Sequence, residues 1–230
     1  MLFVRSLLFM LWFLAVTTVL SLIFLPVLIL PRGATVWLAR VWARATFFGL
    51  KVFCGIGWEV RGQPPQGPVL VASKHMSMWD TLALWLVLDA PGIVLKRELL
   101  RIPFYGWFLW KGTAIAIDRS AGASALRKMS QAAQKILDRG NPILIFPEGT
   151  RKKPGAAPDY KPGVAGLYAI LGVACVPVAL NSGVYWQGFR KYPGTIVLEF
   201  LEPIAPGLKR APFMAALEGR IEDATNRLIA

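Results

Sequence analysis

Apolar residues at the start of the chain form one long run. Between Ser6 and Pro31 no side chain is charged, and a helix of this length crosses about 30 Å of hydrocarbon. A secretory signal peptide fits less well, because the run is too long and lacks an evident small-residue cleavage site. Pro26 is expected to kink or end the helix. We therefore predict a membrane-embedded first helix, which either spans the bilayer or turns back within one leaflet.

A second helical pattern extends from Gly33 to Phe53, with basic and apolar residues on separate faces. The basic face carries Arg40, Arg44 and Lys51, and the apolar face carries Leu38, Trp42, Ala45 and Phe53. This pattern is typical of a helix at a membrane interface, with cations at the head groups and apolar residues toward the acyl chains. A helix packed on a globular domain would show the same pattern, so both interpretations stay open.

The cations around the first segment predict its orientation. Arg5 and the amino terminus precede the segment, whereas a larger group follows it, namely Arg32, Arg40, Arg44 and Lys51. By the positive-inside rule, the bulk of the protein then faces the cytoplasm from the inner membrane of the cell. We divide the chain into membrane-anchoring helices at residues 1–55 and an α/β domain at residues 56–230.

From about Gly57 onward, short apolar segments alternate with helical patterns. The predicted strands are Trp58–Arg61, Val69–Ala72, Ile93–Lys96, Ala114–Ile117, Ile143–Phe146, Cys175–Leu180 and Thr195–Phe200. The predicted helices are Thr81–Leu88, Ser124–Arg139, Val164–Leu171 and Met214–Leu228. This alternation predicts an α/β fold, with a mixed, largely parallel sheet flanked by helices and preceded by a membrane-embedded two-helix segment.

Composition narrows the choice of partners. The net charge of +13 favours a polyanionic partner, either nucleic acid, an anionic bilayer or a phosphorylated substrate. Nine tryptophans and the apolar N-terminus favour the bilayer, and the chain carries no nucleic-acid recognition motif. We therefore expect membrane lipids, and no nucleic acid, as partners.

Cys54 and Cys175 each lie in an apolar run and are expected to be buried thiols.

The candidate chemistry begins at His75, the only histidine in the chain. It follows the predicted strand at Val69–Ala72 and precedes the predicted helix at Thr81–Leu88. Sites in open α/β sheets form at the carboxyl ends of the strands. If the chain turns between His75 and Asp80, the carboxylate can orient the imidazole, whose other nitrogen accepts a proton from a substrate hydroxyl. The alternative is that Asp80 merely caps the helix, since Ser77 and Asp80 have capping-box spacing.

Basic residues follow three other predicted strands. Lys96 ends one strand, Arg119 follows the strand at Ala114–Ile117, and the segment 146–153 with its Arg-Lys-Lys sequence follows another. If these strands are parallel, the cations converge on His75. Arginine binds a phosphate monoester through two hydrogen bonds, and lysine adds a point charge. Gly149 would let backbone N–H groups approach an anion closely.

The order of these residues resembles the glycerophospholipid acyltransferases, and closely the bacterial lysophosphatidic acid acyltransferases. The first motif of that family, H-x4-D, is matched by His75 and Asp80. Its third motif, F-P-E-G-T-R, is matched residue for residue by 146–151. Arg119 after a short strand and Pro177 within an apolar strand resemble the second and fourth motifs. The motifs are specific because they occur together and in this order.

The resemblance covers roughly Gly57 to Glu202 and implies a reaction. A fatty acyl group would move from a thioester of acyl carrier protein or coenzyme A to the free hydroxyl of lysophosphatidic acid, 1-acyl-glycerol-3-phosphate. The product would be phosphatidic acid, and residues 56–230 would form the acyltransferase domain. We expect no cofactor and no metal, because the thioester is a co-substrate.

The resemblance also implies roles for single residues. His75 would be the general base and Asp80 would orient it. The substrate-binding residues implied are Lys96, Arg119, Glu148, Gly149, Thr150, Arg151 and Lys152. Glu148 would either buttress an arginine or receive a substrate hydroxyl.

Two departures from the family pattern add positive charge. Lys74 precedes His75 where a small polar residue is expected, and Lys152 stands where serine is frequent. Both are expected to alter head-group preference, in favour of phosphorylated acceptors, without touching the base. The acceptor could instead be another lysolipid, such as a lyso-ornithine lipid or lysophosphatidylglycerol. A non-catalytic lipid-binding protein of the same fold is a further alternative, but it would need neither His75 nor Asp80.

Overall fold

The N-terminal apolar run folds into a helical hairpin. The computed structural model describes residues 1–102, 105–112, 114–118 and 122–230. Helix α1 spans Leu2–Ile23 and ends before Pro26, as predicted, and a 3₁₀ turn at Leu25–Leu28 leads to α2 at Arg32–Gly49. One π-helical turn, Leu50–Cys54, extends α2. It ends at Gly55, whose φ of 67° lies in the left-handed region that favours glycine.

The remaining chain alternates strands and helices, as the pattern predicts. The strands are β1 Ile56–Arg61, β2 Leu70–Ser73, β3 Gly92–Lys96, β4 Ala114–Ile117, β5 Ile143–Ile145, β6 Cys175–Leu180, β7 Trp186–Gln187, β8 Arg190–Lys191 and β9 Gly194–Phe200. The helices are α3 Met78–Val87, α4 Tyr105–Lys111, α5 Gly122–Leu137, α6 Gly163–Leu171, α7 Ser182–Tyr185 and α8 Arg210–Ile229. A 3₁₀ segment at Arg97–Arg101 follows β3.

Among the described residues, seven strands form one sheet in the order β1-β9-β6-β2-β5-β3-β4. Neighbouring strands from β6 to β4 are parallel, whereas β6 and β9 are antiparallel. The predicted mixed, largely parallel sheet is therefore confirmed. Because β2, β5, β3 and β4 run in one direction, the segments that follow them lie at the same edge of the sheet.

Two apolar cores cover the faces of the sheet. Side chains alternate along each strand, so Leu70 and Ala72 of β2 face one core while Val71 faces the other. The first core contains residues of α5, α6 and α8. The second contains residues of α1, α2 and α3, with Trp79 almost fully buried in it. The N-terminal hairpin thus covers one face of the sheet.

The apolar face of α2 packs on the α/β domain. Leu38 and Phe47 are buried, and the Phe47 ring contacts the rings of Trp58 and Trp79 at 5.5 and 5.7 Å. The interpretation in which this face lies directly against the bilayer is therefore wrong for Leu38, which the protein encloses. The packed-helix interpretation holds there, because the sheet face beneath α2 is apolar and must be covered.

Helix α1 contacts the domain near both of its ends. Near its start, the Arg5 side chain donates to the Phe53 carbonyl at 2.9 Å, and Ser6 Oγ accepts from the Lys191 N–H at 3.0 Å. Just beyond its end, Lys111 Nζ donates to the Val27 carbonyl at 3.1 Å. An outward row stays exposed and consists of Phe3, Val4, Leu7, Leu8, Leu11, Leu14, Val19, Leu22 and Ile23. By length and composition α1 could cross a membrane.

We predict that the centre of the sheet carries much of the stability. Leu144 of β5 is fully buried, so Leu144→Ala should lower the free energy of unfolding by about 2–5 kcal/mol. Thermal unfolding in detergent micelles measures the effect. Val60→Ala in the exposed edge strand β1 is the control and should change stability little. An equal loss in both variants would contradict this account of the core.

Candidate active site

His75 lies in the turn between β2 and α3. Strand β2 ends at Ser73, and α3 begins at Met78 with Ser77 as its N-cap. This turn brings His75 Nδ1 to 3.0 Å from Asp80 Oδ2. The imidazole is 12% exposed, whereas the Asp80 side chain is fully buried. The geometry places an oriented histidine at the carboxyl edge of the parallel strands.

Asp80 also caps helix α3, so the two interpretations of this residue hold together. Its Oδ2 accepts from the backbone N–H of Met76 at 2.6 Å and of Ser77 at 2.8 Å. Its Oδ1 accepts from the hydroxyls of Ser77, at 3.0 Å, and of Ser182. Because every neighbour donates to this carboxylate, His75 Nδ1 carries the proton of the neutral ring. Nε2 is then the nitrogen left to accept a proton.

The segment after β5 holds the other side of His75. The Phe146 ring stacks on the imidazole, with centroids 4.0 Å apart and an interplanar angle of 21°. The Lys152 N–H donates to the His75 carbonyl at 2.8 Å. Because β5 is the hydrogen-bonded neighbour of β2, the sheet itself brings this segment to the histidine. From the sequence, Phe146 is recognised only as part of the F-P-E-G-T-R motif. Its stacking on the imidazole is not predicted by any local pattern.

The basic residues of this segment surround a tight turn. Gly149 has a φ of 65°, and its N–H donates to the Phe146 carbonyl at 2.9 Å. Thr150 and Arg151 are exposed. Lys152 Nζ lies 3.4 Å from Asp159 Oδ2, and a hydrogen bond from Lys161 lowers the pKa of Asp159. Arg151 is therefore an exposed cation directly beside Lys152, whose N–H binds the His75 carbonyl, while the Lys152 ammonium shares its charge with Asp159.

The other predicted cations lie farther along the same edge. Lys96 ends β3 and is exposed. Because β5 separates β3 from β2, the ends of those two strands lie about 10 Å apart across the sheet. Arg97 Nη2 forms an ion pair with Asp118 Oδ2 at 3.1 Å, across β3 and β4. Arg119 lies outside the described residues, so its predicted role stays a prediction.

Lys74 does not add charge toward a head group. Its ammonium group is 2% exposed and bonds Glu148 Oε1 at 2.8 Å and Glu222 Oε1 at 2.7 Å. Burial raises the pKa of Glu148, and the Lys74 hydrogen bond opposes that rise. The expectation that Lys74 changes head-group preference through its charge is therefore wrong, since two carboxylates neutralise it inside the protein. Within the part of the chain that the structure describes, Glu148 buttresses this lysine and bonds no arginine.

An apolar cavity of about 430 Å³ lies between the N-terminal hairpin and the domain. Residues of α1, α2, α3, β3 and α4 line it, and they include Leu20, Trp42, Leu82, Trp85, Leu95 and Phe108. Thr81 and Leu82, which directly follow Asp80, are part of the lining. The cavity therefore begins beside the helix that carries Asp80, and its apolar walls suit a hydrocarbon chain.

We predict that Asp80 sets the tautomer of His75. In wild type the ¹⁵N signals of the single imidazole, in its neutral form, should show a protonated Nδ1 and an unprotonated Nε2. In Asp80→Asn the preference for this tautomer should weaken, because an amide group can donate to Nδ1. Trp79→Phe, a buried substitution in the same helical turn, is the control and should keep the tautomer. A wild-type spectrum from Asp80→Asn would contradict the orienting role.

Comparisons with known proteins agree with the site. A model of the family described as Acyltransferase matches residues 58–181. The 1-acyl-sn-glycerol-3-phosphate acyltransferase of Pseudomonas aeruginosa is 40% identical over 173 residues, which cover 73% of this chain and 67% of that protein. The enzyme named 1-acyl-sn-glycerol-3-phosphate acyltransferase alpha from Ovis aries is 33% identical over 200 residues, covering 82% and 69%.

A solved structure has the same fold. The 1-acyl-sn-glycerophosphate acyltransferase of Thermotoga maritima superposes with a TM-score of 0.80 over 100% of this chain and 98% of that one, at 21% identity. The described sheet and helices are thus those of a known acyltransferase fold. Together with the family match and the 40% identical relative, they confirm the resemblance based on the motifs. The chain belongs to the acyltransferase family.

Proposed function

We propose that this protein transfers a fatty acyl group from a thioester to the sn-2 hydroxyl of 1-acyl-sn-glycerol-3-phosphate, which gives phosphatidic acid. The thioester is that of acyl carrier protein or coenzyme A. The observation that carries the proposal is the hydrogen bond of 3.0 Å between His75 and the buried Asp80, beside the turn that bears Arg151. The names of the related enzymes support the choice of acceptor.

The geometry supports general-base catalysis. His75 Nε2 takes the proton of the acceptor hydroxyl while the hydroxyl oxygen attacks the carbonyl carbon of the thioester. Asp80 stabilises the imidazolium that forms. When the tetrahedral intermediate collapses, the carbon–sulfur bond breaks and the imidazolium returns the proton to the thiolate. No acyl-enzyme is required, because the thioester is already activated.

The phosphate of the acceptor binds to the turn after β5. Arg151 is exposed there, and Gly149 and Thr150 shape the turn. Lys152 and Lys96 contribute longer-range attraction, and Arg119 binds the phosphate together with Arg151. Glu148 supports this site from within the protein, since its side chain is 1% exposed and engaged by Lys74.

The N-terminal hairpin places the site at a membrane surface. Helix α1 is about 33 Å long and is bonded to the domain near its start, at Ser6, and just beyond its end, at Val27, so it lies along the domain with its apolar row outward. We propose that this row enters one leaflet of the inner membrane, with the domain on the cytoplasmic side. The apolar cavity beneath the hairpin then receives an acyl chain directly from the bilayer.

His75→Ala tests the reaction. We expect purified wild-type protein in detergent or lipid to convert lysophosphatidic acid and a labelled acyl thioester into phosphatidic acid. His75→Ala should lose activity by about 10²–10⁴-fold or more, because the hydroxyl loses its base. Equal melting temperatures of the two proteins provide the folding control. Equal product from both proteins would show that the His75 stretch is only a helix cap. Wild-type activity confined to a different lysolipid in an acceptor panel would replace the proposed acceptor.

Arg151→Ala tests phosphate binding. The KM for lysophosphatidic acid should rise roughly ten- to hundredfold, since charge-assisted hydrogen bonds contribute about 1.5–3 kcal/mol, while the KM for the thioester should change less. Arg61→Ala is the matched control. It removes the same charge from an exposed site at the opposite edge of the sheet, because β1 runs antiparallel to β2. An unchanged acceptor KM in Arg151→Ala would count against this role.

A further inference from the structure

A buried group of charged side chains lies directly behind the histidine. Lys74, Glu148 and Glu222 form the buried triad, in which one ammonium group bonds a carboxylate oxygen on each side, at 2.8 and 2.7 Å. Tyr160 donates its hydroxyl to the same Glu222 oxygen at 2.8 Å. The exposed fractions are 2% for Lys74, 1% for Glu148 and 16% for Glu222.

The triad joins three distant parts of the chain. Lys74 belongs to the turn after β2, Glu148 to the turn after β5, and Glu222 to the C-terminal helix α8. Helix α8 is held in place by its own core contacts, since Phe213, Leu217 and Ile221 are fully buried. The position of Glu222 is therefore fixed by the packing of α8. Lys74 bonds both Glu222 and Glu148 and so links the two turns to this helix.

The triad reaches the main chain of His75. The second oxygen of Glu148, Oε2, lies 3.5 Å from the His75 N–H, at the long end of the hydrogen-bond range. From the same turn after β5, the Lys152 N–H donates to the His75 carbonyl at 2.8 Å. The backbone N–H and the carbonyl of His75 thus both contact residues of this turn. Any rotation of the Glu148 carboxylate would release one of them.

Charge balance shows what Lys74 does there. A buried charge is stable only when it is paired, and two facing carboxylates repel each other. Without the ammonium, Glu148 and Glu222 would lose their shared partner, and one would have to protonate or turn away. Burial together with the nearby Glu222 also raises the pKa of Tyr160, so its hydroxyl remains a donor to this group.

We propose that Lys74 and Glu222 are positioning residues for the acyl transfer, through which helix α8 sets the place of Glu148 and of the His75 main chain. The inference rests on the proposed function, with His75 as the base. Neither residue touches substrate, and both act through Glu148. Helix α8 therefore influences turnover although it contributes no side chain to the His75–Asp80 pair.

The test compares kcat and KM of full-length variants in detergent micelles, with lysophosphatidic acid and an acyl-coenzyme A thioester. Lys74→Met keeps the length of the side chain and removes its charge. Glu222→Gln keeps the Lys74–Glu148 pair and weakens the link to α8. Glu218→Gln, the same substitution one turn earlier on α8, is the matched control.

We expect Lys74→Met to lower kcat by about tenfold to a hundredfold, the effect of a small misplacement of catalytic groups, with both KM values nearly unchanged. Glu222→Gln should lower kcat less, and Glu218→Gln should leave it unchanged. Adding Glu222→Gln to Lys74→Met should cause no further loss, because it removes one of the two unpaired carboxylates. The ring signals of His75, the single imidazole, should shift in Lys74→Met and not in Glu218→Gln.

The outcomes separate this inference from the proposed function. If His75→Ala is inactive while Lys74→Met and Glu222→Gln both keep the wild-type kcat, the triad has no positioning role although the function stands. If His75→Ala retains activity, the proposed function itself fails. Should Lys74→Met not fold, Glu222→Gln alone decides. A lowered kcat with an unchanged melting temperature supports positioning, and a lowered melting temperature with the wild-type kcat overturns it.

Discussion

The arrangement of the site depends on one buried carboxylate. Asp80 accepts from two backbone N–H groups at the start of α3, from the hydroxyls of Ser77 and Ser182, and from His75. These bonds close the turn, begin the helix and orient the imidazole at once. A carboxylate buried this fully must be surrounded by donors, and here one of those donors is the His75 ring. The same carboxylate therefore caps the helix and orients the imidazole.

The parallel sheet determines how near each basic residue can come to His75. Adjacent strands lie about 4.8 Å apart, so the turn after β5 contacts the histidine directly while β3 ends two strands away. This order explains why Phe146 and Lys152 touch His75 and why Lys96 does not. The interior of the same edge is charged as well. Lys74 and Glu148 face inward to α8, so Lys74 supports the turn from within while Arg151 remains exposed to solvent.

The N-terminal hairpin has two surfaces with different partners. Its inner surface completes a core through Phe9 and Phe47, and its outer surface is an apolar row on α1. An anchor that also covers the sheet cannot leave the domain without exposing that core. The apolar cavity forms between the same two parts, so the proposed membrane attachment and the walls of the proposed acyl-chain site arise from one packing arrangement. In the proposed membrane placement, the distance between His75 and the membrane is then set by packing and not by a linker.

Local patterns in the sequence were enough to predict the seven sheet strands, the larger helices and the H-x4-D and F-P-E-G-T-R motifs, because periodicity and motif spacing are properties of neighbouring residues. The hairpin of β7 and β8 was missed, since two-residue strands leave no periodicity. Contacts between distant segments could not be predicted from the sequence, for a different reason. Ser182 bonds Asp80, and Glu222 bonds Lys74. The residues around Ser182 and Glu222 in the sequence form no motif that predicts these partners, and only the folded chain brings each pair together. Whether the apolar face of α2 meets lipid or protein was likewise decided by tertiary packing. A helix at a membrane surface and a helix packed on a domain have the same amphipathic pattern, so the sequence does not distinguish them.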